Sequence, residues 1–154
     1  MRTRWVLLIA SMMLGATACA MDAASGQEEI DAQVLGEAAC KGTPRILGKH
    51  WGTVGETATP SGELFAIYLA PPDEKHPVDG GCAWSGEFRA YQARADGSSR
   101  TRYGRYTRRP TKRLILDFLN GEHRSYTIAY DESYDEELLT LSRGGQSFVF
   151  FSDL

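Results

Sequence analysis

From Pro44 onward this chain is written in short β-rich runs separated by turn formers, a rhythm that fits few fold classes. The runs are Arg45–Gly55, Glu63–Ala70, Trp84–Ala95, Thr101–Arg109, Lys112–Leu119, His123–Tyr130, Leu138–Arg143 and Gln146–Ser152. Between them stand Thr59-Pro60-Ser61-Gly62, Pro71-Pro72-Asp73, Asp79-Gly80-Gly81, Asp96-Gly97-Ser98, Asn120-Gly121 and Gly144-Gly145. Asn120-Gly121 is the strongest hairpin signal, because both residues tolerate the left-handed backbone of a tight turn. Within the runs apolar residues alternate: Leu114, Leu116 and Phe118; Tyr126, Ile128 and Tyr130; Leu139 and Leu141; Phe148 and Phe150. That period of two places one apolar face on each strand.

About eight such strands with tight connections predict an all-β domain, a single antiparallel meander that closes as a small barrel. A β-sandwich is the alternative arrangement. An open sheet of this length would expose long unpaired edges, and no strand–helix alternation points to a parallel sheet. The Pro-rich segment Ala70–Gly81 reads as an exposed loop.

The first 43 residues follow other rules. Arg2 and Arg4 precede an apolar run, Trp5 to Leu14, and the small residues Gly15-Ala16-Thr17-Ala18 lead into Cys19. This is the layout of an export signal over residues 1–18, and the run is shorter than the roughly 20 apolar residues that cross a bilayer. It resembles a bacterial lipoprotein signal, which implies that Cys19 is acylated and becomes the first mature residue. Ala16 stands where such signals usually carry leucine. The other reading is cleavage after Ala18 or Ala20, which releases a periplasmic or secreted protein. Residues 19–43 are small, polar and acidic, as suits a flexible tether, with Ile30, Val34, Leu35 and Ala38 spaced for one short helix. Residues 44–154 then form the β-barrel domain.

The chain has three cysteines. With Cys19 acylated, Cys40 and Cys82 remain to form a disulfide in an oxidising compartment. The whole chain carries 17 Lys and Arg against 20 Asp and Glu. Two of the cations and none of the acids lie in residues 1–18, so the mature chain is more acidic still. No global charge therefore points to nucleic acid.

Trp84-Ser85-Gly86-Glu87-Phe88 and Tyr103-Gly104-Arg105-Tyr106 resemble the Gly-x-aromatic strand openings of small lipocalin-like domains found in exported bacterial lipoproteins. Tyr126-Thr127-Ile128, Leu139-Thr140-Leu141 and Phe148-Val149-Phe150 resemble the last three strands of such barrels. The resemblance covers roughly residues 45–152 and implies a barrel of the same kind. Where lipocalins carry Gly-x-Trp, this chain has Gly48-Lys49-His50-Trp51, one residue longer, so no ligand residues carry over.

Little in the sequence points to catalysis. His50, His76 and His123 have no second histidine or cysteine at ligand spacing, so neither a metal nor another cofactor is expected. No Gly-x-Ser-x-Gly elbow is present. Asp131, Ser133 and Asp135 alternate like the start of a calcium loop, but Glu136 occupies the position of its turn glycine, and the segment reads as a solvated hairpin tip. The densest chemical feature is basic: Arg100, Arg102, Arg105, Arg108 and Arg109, with Arg94, Lys112 and Arg113 around them and Tyr103 and Tyr106 interleaved. In an exported protein these arginines are candidates for an envelope polyanion or anionic headgroups. The plainer reading makes them the solvent side of a strand, balanced by the acidic 131–137 tip. The aromatic residues read as a filled core, since eight strands enclose little more than their own side chains.

The function expected from these features is that of a non-enzymatic envelope lipoprotein, binding or structural, held at the membrane by an acyl anchor on Cys19. Two alternatives are a carrier of a small hydrophobic ligand inside the barrel, and an inhibitor of an extracytoplasmic hydrolase acting through Pro71–Gly81.

Overall fold

A computed structural model describes residues 40–53, 59–132 and 136–152. Cys19, the export signal and the candidate helix lie outside these residues. Nine strands follow in order: β1 (Lys49–Gly52), β2 (Leu64–Leu69), β3 (Glu74–Val78), β4 (Gly81–Ala93), β5 (Ser99–Arg109), β6 (Arg113–Phe118), β7 (His123–Asp131), β8 (Leu138–Arg143) and β9 (Gln146–Ser152).

All pairings are antiparallel, and β2 bonds to β1 on one side and β4 on the other, which closes the sheet. The result is an eight-stranded barrel with β3 as an extra strand, as the meander predicts. Closure leaves none of the eight barrel strands as a free edge.

One strand was not expected. β3 forms inside the Pro-rich segment read as a loop and pairs only with the first part of β4, Glu74 opposite Ser85 through Val78 opposite Gly81. Three exposed polar residues precede Pro77, so no alternation marks it. As an edge strand it accommodates Pro77 without losing a ladder bond. Because β3 holds its first part, β4 begins at Gly81, earlier than Trp84. β1 is shorter than the run Arg45–Gly55: a turn closed by Leu47 N–H donating to Pro44 O (3.0 Å) precedes it.

The alternation places Trp51, Ile67, Leu69, Trp84, Phe88, Tyr106, Leu114, Leu116, Tyr126, Leu139, Leu141 and Phe150 in one buried core. Each large apolar side chain removed from water this way contributes about 1.5–3 kcal/mol. Gly86 and Gly104 prove to lie inside β4 and β5 rather than at strand openings. They make space for rings: a Cβ on Gly86 would stand 2.7 Å from the Tyr106 hydroxyl, and one on Gly104 would meet the Asp117 carbonyl and lie 2.8 Å from the Phe88 ring. Tyr106 uses that space to donate to Ala70 O at 2.7 Å, and burial pushes its phenol up to about 12.

The hairpin at Asn120-Gly121 forms as expected, with Gly121 N–H donating to Phe118 O (2.9 Å) and Gly121 at φ +83°. The turn joining β5 to β6 reaches the same left-handed region at Lys112 (φ +56°), a residue with a Cβ.

Candidate functional site

The barrel has two ends of different chemistry. One, the loop end, carries the connections β1–β2, β4–β5, β6–β7 and β8–β9. The other receives the chain at Cys40 and carries the connections β5–β6 and β7–β8. Cys40 is joined there to Cys82 at the start of β4, with an S–S length of 2.02 Å. This stapled end is the pairing expected from the cysteines.

Strand β5 supplies arginines to both ends and to the outside. Arg102, Gly104, Tyr106 and Arg108 share the inward face, since they sit opposite Ala90, Phe88, Gly86 and Trp84 of β4. Arg105 and Arg109 have the outward parity and are exposed. The five arginines therefore do not form one surface. Nor is Arg102 on a solvent side: it is 8% exposed, while its neighbour Tyr103 is 52% exposed. The strand's facing is set by Gly104 and Tyr106, which are needed in the core.

At the loop end most of the inward polar groups satisfy one another. Arg102 Nη1 donates to Gln92 Oε1 (2.9 Å), and its Nη2 donates to Asn120 Oδ1 and Glu122 Oε2 (both 2.8 Å). Arg100 Nε also donates to Gln92 Oε1 (2.7 Å). Arg124, on β7, donates through Nε to Glu122 Oε1 (2.6 Å) and through Nη1 to Gly62 O (3.1 Å). Arg143 reaches Glu63 Oε1 (2.7 Å) across 80 residues of sequence. The guanidinium of Arg102 lies 4.3 Å from the Phe118 ring centre, a cation–π contact beneath the ion pairs. Burial raises the Glu122 carboxyl, but the Arg102 and Arg124 donors outweigh it and leave the group below its ordinary range. Two buried oxygens, Tyr126 Oη and Glu63 Oε2, have no hydrogen-bond partner.

The stapled end is arranged differently. Arg108 lies at the rim between Trp84 and Leu114. Its Nη1 donates to the backbone oxygen of Arg109, and its buried Nε has no partner. No carboxylate pairs with it among the described residues, and burial alone holds its guanidinium below the ordinary value. Arg45, Ile46, Lys112, Ile128 and Tyr130 surround it along a groove of about 330 Å³, and a second groove of about 450 Å³ borders Arg108 on the Cys82 side. The carboxylates flanking Tyr130 are already engaged: Arg45 pairs with Glu132, Lys49 pairs with Glu137, and the Tyr130 hydroxyl donates to Glu137 (2.9 Å). Burial, with Glu137 close by, pushes the Tyr130 phenol up to about 12.

The remaining candidates fall elsewhere. Arg105 makes a bidentate pair with Asp73 (2.7 and 3.0 Å), not with the 131–137 segment. His50 stacks on Tyr68 at 4.3 Å, His76 is exposed on β3, and His123 pairs with Asp117. Among the described residues no three His, Cys, Asp or Glu side chains gather as a metal site. Ser133 and Asp135 lie outside the described residues.

Sequence reasoning missed Gln92, Glu63, Glu122, Arg124 and Arg143. One signal was available: Arg124 precedes Tyr126 and Ile128 at the same parity, so an arginine stood on the apolar face of its strand. The chain matches no protein-family model, no curated protein and no solved structure.

Proposed function

We propose that the chain is a non-enzymatic binding protein of the bacterial envelope, held at a membrane through an acylated Cys19, whose stapled end engages anionic envelope groups. The observation that carries this reading is the place of Arg108. It is an inward guanidinium without a carboxylate among the described residues, on the end of the barrel where the chain arrives from the tether. Lys41, Arg109, Lys112 and Arg113 belong to the same end and form no ion pair among the described residues. A short tether brings that end toward the bilayer, where cations near an anionic surface gain about 1 kcal/mol each. Buried Trp51, Leu116, Leu141 and Phe150 support binding at a barrel end over carriage of a ligand inside.

The intact mass of the mature protein tests the anchor: a diacyl or triacyl adduct on Cys19 is expected, and an unmodified mass overturns it. Amine footprinting of the same sample tests the orientation. Lys41 and Lys112 should be protected on vesicles rich in phosphatidylglycerol and reactive on phosphatidylcholine, whereas equal reactivity on both overturns the orientation.

A further inference from the structure

The groove at Arg108 has a more specific chemistry than a diffuse cationic face. Arg108 uses Nη1 on the Arg109 carbonyl and its Nε is buried, which leaves Nη2 to meet an acceptor. A guanidinium N–H facing a phosphate or carboxylate oxygen makes a charge-assisted hydrogen bond, stronger than a neutral one. Lys112 lines the same groove as a second cation. Its left-handed backbone (φ +56°) is strained for a residue with a Cβ, and the turn is pinned to β7 by Ile128 N–H donating to Lys112 O at 2.8 Å. The same groove is lined by the apolar side chains of Pro44, Ile46 and Ile128 and by Tyr130, with Arg45 engaged by Glu132. Two cations without an ion pair among the described residues, set among apolar side chains, suit an amphiphilic anion.

We infer that this groove binds a phosphate-bearing amphiphile of the anionic phospholipid class. Its phosphate sits on Arg108 Nη2 and Lys112, and the first carbons of its apolar part lie along Pro44, Ile46 and Tyr130. The inference rests on the reading that the stapled end engages anions, and it does not depend on acylation of Cys19. A single headgroup held here would fix the barrel's rotation on the membrane, which a diffuse charge cannot do.

The test is a titration of the full chain with dihexanoyl phosphatidic acid below its micelle concentration, followed by NMR of the Arg108 Nε–H and the Ile46 and Ile128 methyl groups. All three signals should move together. Arg108→Gln should weaken binding about tenfold, as loss of a charge-assisted hydrogen bond does. Lys112→Gln should weaken it less, and Arg94→Gln, at the exposed β4–β5 connection of the loop end, should leave it unchanged. Arg108→Lys, which keeps the charge without the guanidinium, should recover only part of the affinity, provided both Arg108 variants keep the strand amide spectrum. Three outcomes overturn the inference: no shift, equal binding of dihexanoyl phosphatidylcholine, or inorganic phosphate binding as tightly without moving the methyl signals. Binding by a chain whose intact mass shows unmodified Cys19 supports the groove and sinks only the anchor.

Discussion

Arg102 and Arg108 are six residues apart on the same face of β5, yet the two ends of the barrel treat them in opposite ways. Arg102 is held by Gln92, Asn120 and Glu122 over the Phe118 ring, whereas among the described residues Arg108 finds only a backbone oxygen and keeps a buried Nε without a partner. A buried charge is costly unless hydrogen-bonded and paired. The loop end meets that cost with its own carboxylates and becomes a polar plug. At the stapled end Glu132 and Glu137 pair with Arg45 and Lys49, and Arg108 is left over. Residue type therefore does not separate a paired arginine from an unpaired one. The neighbouring acids do.

The largest expected effect comes from cutting the staple. The Cys40–Cys82 bridge spans a sequence separation of 42, and in the chain-entropy account its loss costs about 4 kcal/mol. Urea denaturation with and without reductant should show an unfolding free energy lower by that amount in the reduced protein, with the midpoint moved to lower urea. Identical midpoints would mean that the stapled end is held by its packing alone.

The comparison itself is sharpened by making the same substitution at both ends. Arg102→Met should destabilise by roughly 3 kcal/mol, near the low end for a broken buried pair because Glu122 keeps Arg124. Arg108→Met should cost less than about 1 kcal/mol, since it removes a buried cation that has no ion pair to lose. Equal losses in chemical denaturation would erase the distinction drawn here.

Acid should act on the loop end before it acts on Arg108. The folded pKa of Glu122 is lowered from 4.5, so its contribution is complete above that value and is lost as pH falls through the lower folded value. Glu122→Gln should flatten that part of the stability profile between neutral pH and acid. An unchanged profile would place the acid sensitivity in Glu137 or Asp73, whose carboxyls Lys49 and Arg105 also hold low.

The smallest effect is at Lys112. Replacing it with glycine relieves the left-handed backbone at φ +56° and should raise stability by about 0.5–1 kcal/mol. Thermal unfolding would reveal it. A loss of stability instead would show that the Lys112 side chain holds the turn, rather than waiting for a ligand.

Much of the barrel was legible because strand alternation is local: Leu114-Ile115-Leu116 tells which face is buried without reference to any other strand. The Asn120-Gly121 hairpin was readable for the same reason. β3 was not, because an exposed edge strand containing Pro77 has no inward face to imprint on the sequence. The loop-end plug was half legible. Parity alone places Arg124 beside Tyr126 and Ile128 on the inner face, but parity cannot say which acid will meet it.

By itself the sequence determined the strand count to within one, the antiparallel class, the facing of most core residues and the pair of cysteines left to join. Tertiary structure decided the closure of β2 on β4, the pairing of Glu63 with Arg143 across 80 residues, and which arginines are neutralised. The physical reason is range. Alternation and turn chemistry act between neighbours, whereas a salt bridge across a barrel depends on curvature and register that only the closed sheet sets. Arg102 and Arg108 look alike in the chain, and they differ because, among the described residues, the barrel brings a carboxylate to one and not to the other.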